Sequence, residues 1–138
     1  MSKKNVIKQY TEDYKLFLAM LQRIPLSLHD EKFLGGWGIK QITAHIASWN
    51  WQTTQGIQTV TEGGIPWFFD DEDKINEFNA EIIERGKGKT LQHNLQETKV
   101  SHRDTSFALC HSVLDTESIQ IIIDIDSRLR GNDMVQIV

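Results

Sequence analysis

The side chains in this chain able to do acid–base, nucleophilic or metal chemistry are five histidines, one cysteine and nineteen carboxylates. His45 stands out because of where it falls, in Trp37-Gly-Ile-Lys-Gln-Ile-Thr-Ala-His-Ile-Ala-Ser-Trp49. An imidazole suits Zn or Ni, and a metal site left open to a water does hydrolysis. The plainer reading makes His45 a core histidine between Ile42 and Trp49. Catalytic zinc normally takes three protein ligands, and the other histidines, His29, His93, His102 and His111, offer no helical pair. Successive members of the last three lie nine residues apart. Nine residues turn a helix through about half a circle, so neighbours in that series face opposite ways.

Other candidates are weaker. Trp49 and Trp51 are placed to line a pocket beside His45, although large aromatics at helical spacing are more often core. The cluster Trp67-Phe68-Phe69 suits either a lid over the helices or an anchored loop. Trp37, Trp49 and Trp67 are accordingly the candidate ligand-pocket residues. Cys110 and His111 are adjacent, so they do not face each other as a nucleophile and base must. The run Gly86-Lys-Gly-Lys-Thr90 lacks the first glycine of a phosphate-binding loop (Ile83 stands there) and no strand precedes it. Asp70 to Asp73 lacks the alternating ligands and central glycine of a calcium loop; helix capping explains it better.

The elements that must position these residues are helical. Val6, Ile7, Tyr10, Tyr14, Phe17, Leu18, Leu21 and Ile24 form one stripe, and Pro25 ends it. After a polar loop, Gly38 caps a second helix carrying Ile42, Ile46, Trp49, Thr53, Ile57 and Val60. Trp37 and Ile42 form a hydrophobic staple across its start, and it stops near Glu62, before Gly63-Gly64. The acidic run caps a short helix with Ile75, Phe78, Ile82 and Ile83 on its apolar face, closed by Gly86. Thr90 caps another, with Leu91, Leu95, Thr98, His102 and Thr105 along one side. From about Ser106 the helical pattern fades, and Ile119 to Asp126, β-branched and half-alternating, reads as a strand.

Length and composition fit one domain with its own core, and the single cysteine excludes an intramolecular disulfide and fits a reducing, cytoplasmic setting. No apolar run is long enough to cross a bilayer, so no membrane partner is expected. A net charge of −4 argues against a nucleic-acid partner. Residues 1–105 carry 13 Lys and Arg against 14 Asp and Glu, whereas residues 106–138 carry 2 against 5. That shift marks a boundary between a helical unit, 1–105, and a loosely structured tail, 106–138.

The Trp37–Trp49 stretch resembles the second helix of DinB-like proteins, in which a Trp-led start is followed by an Ala-His pair and a Trp four residues on. Gly64-Ile-Pro-Trp-Phe with Ile75-Asn and Phe78-Asn-Ala-Glu81 is similar to the loop and short helix of the ClbS/DfsB and YfiT-like branches. Thr90-Leu, Leu95 and Ser101-His102 resemble the start of their third long helix. The resemblance covers residues 5–105. It implies an all-α, up-down four-helix bundle, often dimeric, whose members hold a divalent metal through three histidines. One of these matches His45; the other two form an His-x-x-x-His pair on the fourth helix, which this sequence lacks. The implied chemistry is metal-assisted hydrolysis, thiol transfer or protection against a reactive metabolite. Cys110 to Ser118 and Asp126 to Asp133 resemble the peptide encoded by a dispersed bacterial palindromic repeat read through in frame. On that reading the fourth helix is missing or replaced.

Three expectations follow. A bundle without its fourth helix exposes an apolar seam from Tyr14, Phe17 and Leu21, which a homodimer would cover. Deleting residues 112–138 costs little stability. The leading expectation for function is a DinB-like, ClbS/DfsB-type helical domain without a complete metal site; the alternatives are an enzyme in which His45, His102 and a carboxylate such as Glu81 converge on a metal, a non-catalytic module binding a small molecule or a partner, and a decayed product with no function.

Overall fold

The computed structural model describes residues 2–34 and 37–124. Ser2 opens the first helix, α1 (Lys3–Leu21), by accepting the Asn5 N–H at 3.3 Å. Pro25 heads a short 3-10 turn at Leu26–Leu28. The loop beyond it holds two short strands, β1 (Lys32–Leu34) and β2 (Trp37–Gly38), paired antiparallel with an irregular register. This hairpin delivers the chain into α2 (Ile39–Thr61), where the Gly38 N–H donates to Gln41 Oε1 at 2.8 Å. Only glycine fits at 38, because a Cβ there would run into the carbonyl oxygen of Glu31. At the other end Gly63, at φ +85°, and Gly64 donate to the carbonyls of Val60 and Thr59 at 3.0 and 2.9 Å. That is the paired termination a left-handed residue makes possible.

Trp67–Phe69 forms a second 3-10 turn before α3 (Glu72–Gly86), capped by Asp71, which accepts the Lys74 N–H at 3.0 Å. Thr90 caps α4 (Leu91–His111) through the His93 N–H at 3.1 Å. Residues 116–124 are helical as well, with Asp115 accepting the Ser118 N–H at 2.8 Å at the start.

Helices adjacent in sequence run antiparallel. The start of α1 packs with Ile57 and Leu109, near the ends of α2 and α4, and its own end packs with their starts, Ile39 and Leu91. Phe78, early in α3, meets Trp49, whereas Gly86, at its end, lies against Ala44. The core has three parts. One joins Tyr14, Leu18 and Leu21 to Trp37, Ile42, Ile46, Leu91 and Leu95. A second, at the opposite end, joins Val6, Ile7, Ile57 and Leu109 to Ile119 and Ile122. The third sits under α3, with Ala44, Trp49, Phe68 and Ile82.

The chain is thus mostly helical, and two expectations about its end are corrected. The strand expected over residues 119–126 is helical over its described part, 119–124; residues 125 and 126 lie outside the described residues. Ile119 and Ile122, three apart, both reach the core, and this burial outweighs the strand preference of β-branched side chains. Nor does helical order end at Ser106: α4 runs five residues further and buries Leu109 completely. The expected exposed seam is also absent from the described residues. Tyr14 and Leu21 are buried and Phe17 is half-buried, because α4 and α2 cover them. The exposed apolar side chains of α1 are instead Leu16 and Met20, on its outer face.

Candidate functional site

His45 lies in the middle of α2 with no solvent-accessible surface. Trp37 stands edge-on to its ring with centroids 5.1 Å apart, and Trp49 lies on its other side at 6.3 Å. His102, on α4, is elsewhere in contact: its ring stacks on Tyr14 at 3.6 Å and 6°, with Tyr10 at 4.9 Å and the Ser106 hydroxyl 3.3 Å from Nε2. Glu81 is exposed on α3. Among the described residues no group of three or more His, Cys, Asp or Glu side chains stands close enough to hold a metal ion. The rings of Trp37 and Trp49 flank His45, and among the described residues His45, His102 and Glu81 do not converge into a set that fits a divalent metal.

Of the tryptophans expected to line a pocket, Trp37, Trp49 and Trp67 are packed against other rings. Trp37 and Trp49 are buried, and the Trp49 indole donates to Asn79 Oδ1 at 2.8 Å. Trp67 is about one-third exposed; it stacks on Trp49 at 6.0 Å and donates to Gln52 Oε1 at 2.9 Å. Phe68 is pressed so close to α2 that a Cβ on Gly56 would lie 2.9 Å from its ring. The void left between α2 and the aromatic loop is about 10 Å³, room for at most one water. The loop therefore anchors α3 to α2 rather than enclosing a ligand.

The remaining sequence candidates have ordinary roles. Thr90 and Asp71 are helix caps. Cys110 is exposed, while His111 Nδ1 bonds the Phe107 carbonyl at 2.9 Å and its ring stacks on Phe107, directed along its own helix. His29 bonds the Ile24 carbonyl at 3.1 Å.

Between α2 and α4 the interior is polar, which the apolar pattern does not predict. Asn94 Nδ2 donates to the Lys40 carbonyl at 3.0 Å, Thr98 to the Thr43 carbonyl at 3.1 Å, and Thr105 to the Asn50 carbonyl at 3.0 Å. Asn50 Nδ2 in turn donates to the Tyr14 hydroxyl at 2.8 Å and to Ser101 at 3.0 Å. These bonds partner the donors of the buried amides and hydroxyls, while Asn50 Oδ1 and Asn94 Oδ1 stay buried without a hydrogen bond among the described residues; the bonds tie three helices together around His102.

Among the described residues, two open concavities are roomy enough for more than a water. The larger, about 520 Å³, lies between the end of α1 and the start of α4, with Leu21, Ile24, Leu26, Leu91 and Leu95 among its walls. The smaller, about 220 Å³, lies where α2, α3 and the first turns of α4 meet. Ala44, Ala47 and Ile82 form its apolar base and Trp51 one wall. Arg85, Lys89 and Glu97 stand at its rim. Glu97 is held by Lys89 at 3.4 Å and His93 at 3.1 Å. None of the rim residues stands out in the sequence. The available signal is the small face of α2, Ala44, Ala47 and Ser48, opposite a glycine that ends a helix.

Comparison with protein families, with curated proteins and with solved structures finds no match to this chain. Among the described residues no helix is long and apolar enough to cross a membrane.

Proposed function

We propose that this chain is a non-catalytic binding module of the DinB-like helical-bundle type, which takes a small molecule in the cleft between α2, α3 and α4. The cleft itself carries the reading: a largely polar concavity of about 220 Å³ with Ala44, Ala47 and Ile82 at its base and Arg85, Lys89 and Glu97 at its rim, polar groups around an apolar patch being what orients a small ligand. The order long, long, short, long among α1 to α4 agrees with the likeness of the Trp37–Trp49 segment to DinB-like proteins. The aromatic surroundings of His45 favour binding over metal-dependent hydrolysis or thiol transfer. A cytoplasmic setting goes with the reading, since Cys110 is exposed and unbridged.

The test is a thermal-shift screen of small molecules against the wild-type protein and Ser48→Trp, which fills the cleft from its half-exposed side. Ligands that bind the folded state raise its melting temperature, and Ser48→Trp should abolish the shift. A screen without stabilising compounds, or shifts that persist in the variant, would overturn the assignment.

A second reading, self-association, is favoured by Leu16 and Met20 on α1 and by Leu26, which lines the α1–α4 groove; they are 72%, 60% and 82% exposed. Apolar side chains gathered at one end of a bundle are a usual mark of an interface. On this reading the protein is a homodimer by light scattering, and the double variant Met20→Lys/Leu26→Lys is a monomer. A monomeric wild type at high concentration refutes it.

A further inference from the structure

We infer that the ligand of the α2–α3–α4 cleft is a small aromatic anion, a flat ring system carrying one carboxylate or an equivalent single negative charge. This rests on the cleft being a binding site and adds the chemistry of its occupant. Three observations carry it. Trp51 is 40% exposed, and no other aromatic ring stacks on it among the described residues. The other three tryptophans are all packed against aromatic rings. An indole left with an open face at a cleft wall offers a stacking surface to a flat ligand.

The second observation is the charge at the rim. Lys89 is matched by Glu97. Arg85 is not matched: its guanidinium lies over the Phe78 ring at 6.0 Å, and among the described residues no carboxylate stands within ion-pair reach. One cation without a counter-charge, in a concavity, selects for one negative charge, and a guanidinium is shaped to grip a carboxylate through two parallel hydrogen bonds. The third is size. A volume of about 220 Å³ is below the range of pockets for drug-sized ligands. The small side chains of Ala44 and Ala47 form the floor of the cleft. The ring would lie between Trp51 and that floor, with its anionic end toward Arg85.

The experiment uses the full chain and two probes that share one ring system, naphthoate, which carries the negative charge, and naphthalenemethanol, which is uncharged. Binding is read from the indole N–H resonance of Trp51 in a nitrogen-labelled sample, assigned with Trp51→Phe. Naphthoate should shift that resonance saturably and bind about tenfold tighter than the alcohol, the advantage of one charge-assisted hydrogen bond. Arg85→Gln should remove the advantage and leave the alcohol's affinity unchanged, and Arg85→Lys, which keeps the charge but not the paired hydrogen bonds, should restore only part of it. Arg85 is exposed, so these variants fold, and the rest of the spectrum reports whether they do. Equal binding of the two probes, or an advantage that survives Arg85→Gln, overturns the assignment of an anion while the cleft stands as a binding site. If neither probe moves Trp51, the cleft reading falls, and this inference with it.

Discussion

Truncating Ile119 to alanine tests how far the end of the chain belongs to the fold. Ile119 has no exposed surface and packs in the same cluster as Val6, Ile7, Ile57 and Leu109. Removing buried methyl and methylene groups costs their transfer energy plus that of the cavity left behind, roughly 2–5 kcal/mol for Ile to Ala. Ile121, two residues on, is 50% exposed and serves as the control: its truncation should stay within about 0.5 kcal/mol, as for most surface changes. Small domains have only about 5–15 kcal/mol in total, so Ile119→Ala removes a large fraction. Deletion of residues 112–138 should be worse still. It strips Ile119 and Ile122 from the end of the bundle, opens the surface of four core residues, and removes the Lys3 Nζ bond to the Ser112 carbonyl at 2.6 Å. The assay is urea denaturation followed by tryptophan fluorescence, with the midpoint compared at a common slope. Equal midpoints for Ile119→Ala and Ile121→Ala, or a deletion variant as stable as the full chain, would refute the placement of the last helical segment. They would restore the picture of an appended tail.

Further outcomes follow from the interior and the helix ends. Protein incubated with zinc or nickel and desalted should retain far less than one metal per chain, and His45→Ala should not change that value; one bound metal lost in the variant would contradict the aromatic setting described for His45. Asn50→Ala leaves the Tyr14 hydroxyl and Ser101 without the amide that joins them, at a cost of about 1–3 kcal/mol, read as a lowered urea midpoint. Asp115 accepts the backbone N–H of Ser118, and this bond, with a second from the Ser118 side chain, holds its carboxyl below the usual range. The stabilisation of residues 116–124 is therefore present above the ordinary carboxylate pKa of about 3.9 and disappears as pH falls through the lowered value. Hydrogen exchange at the Ser118 amide should accelerate in that acid window, and Asp115→Asn should flatten the response.

The helix boundaries were legible because they are written in local chemistry. Gly38, Asp71 and Thr90 act where their residue types place them, and Gly63-Gly64 ends α2 through backbone geometry that few other residues adopt. The hairpin at Lys32–Gly38 was not legible, since its pairing is short and irregular and its strands carry no alternating pattern. The helix at 116–124 was misread because Ile119 to Ile123 favour a strand in isolation, and only contact with Val6, over a hundred residues away in sequence, reverses that preference. The site divides in the same way. Burial of His45 between aromatic residues follows from its place on the apolar face of α2. The cleft does not follow from any one segment, because Trp51, Arg85 and Lys89 come from two helices and the loop after α3, and meet only when these pack. The pairing of polar side chains between α2 and α4 was not legible either, because Asn50, Asn94, Thr98 and Thr105 bond to each other's helix rather than to water.

That pairing fixes how the molecule can move. Asn94, Thr98 and Thr105 each bond a carbonyl of α2, at Lys40, Thr43 and Asn50. Sliding α4 along α2 by one turn, about 5.4 Å, would break all three bonds together and leave polar groups stranded in the interior. The pair is keyed like a rack against its pinion, and gradual shear between the two helices is closed to it. Between α2 and α3, by contrast, the contact is mostly aromatic and aliphatic packing with the Trp49–Asn79 hydrogen bond. The cleft thus has one jaw keyed by hydrogen bonds to backbone carbonyls, α2 with α4, and one held mainly by packing, α3, which carries Arg85.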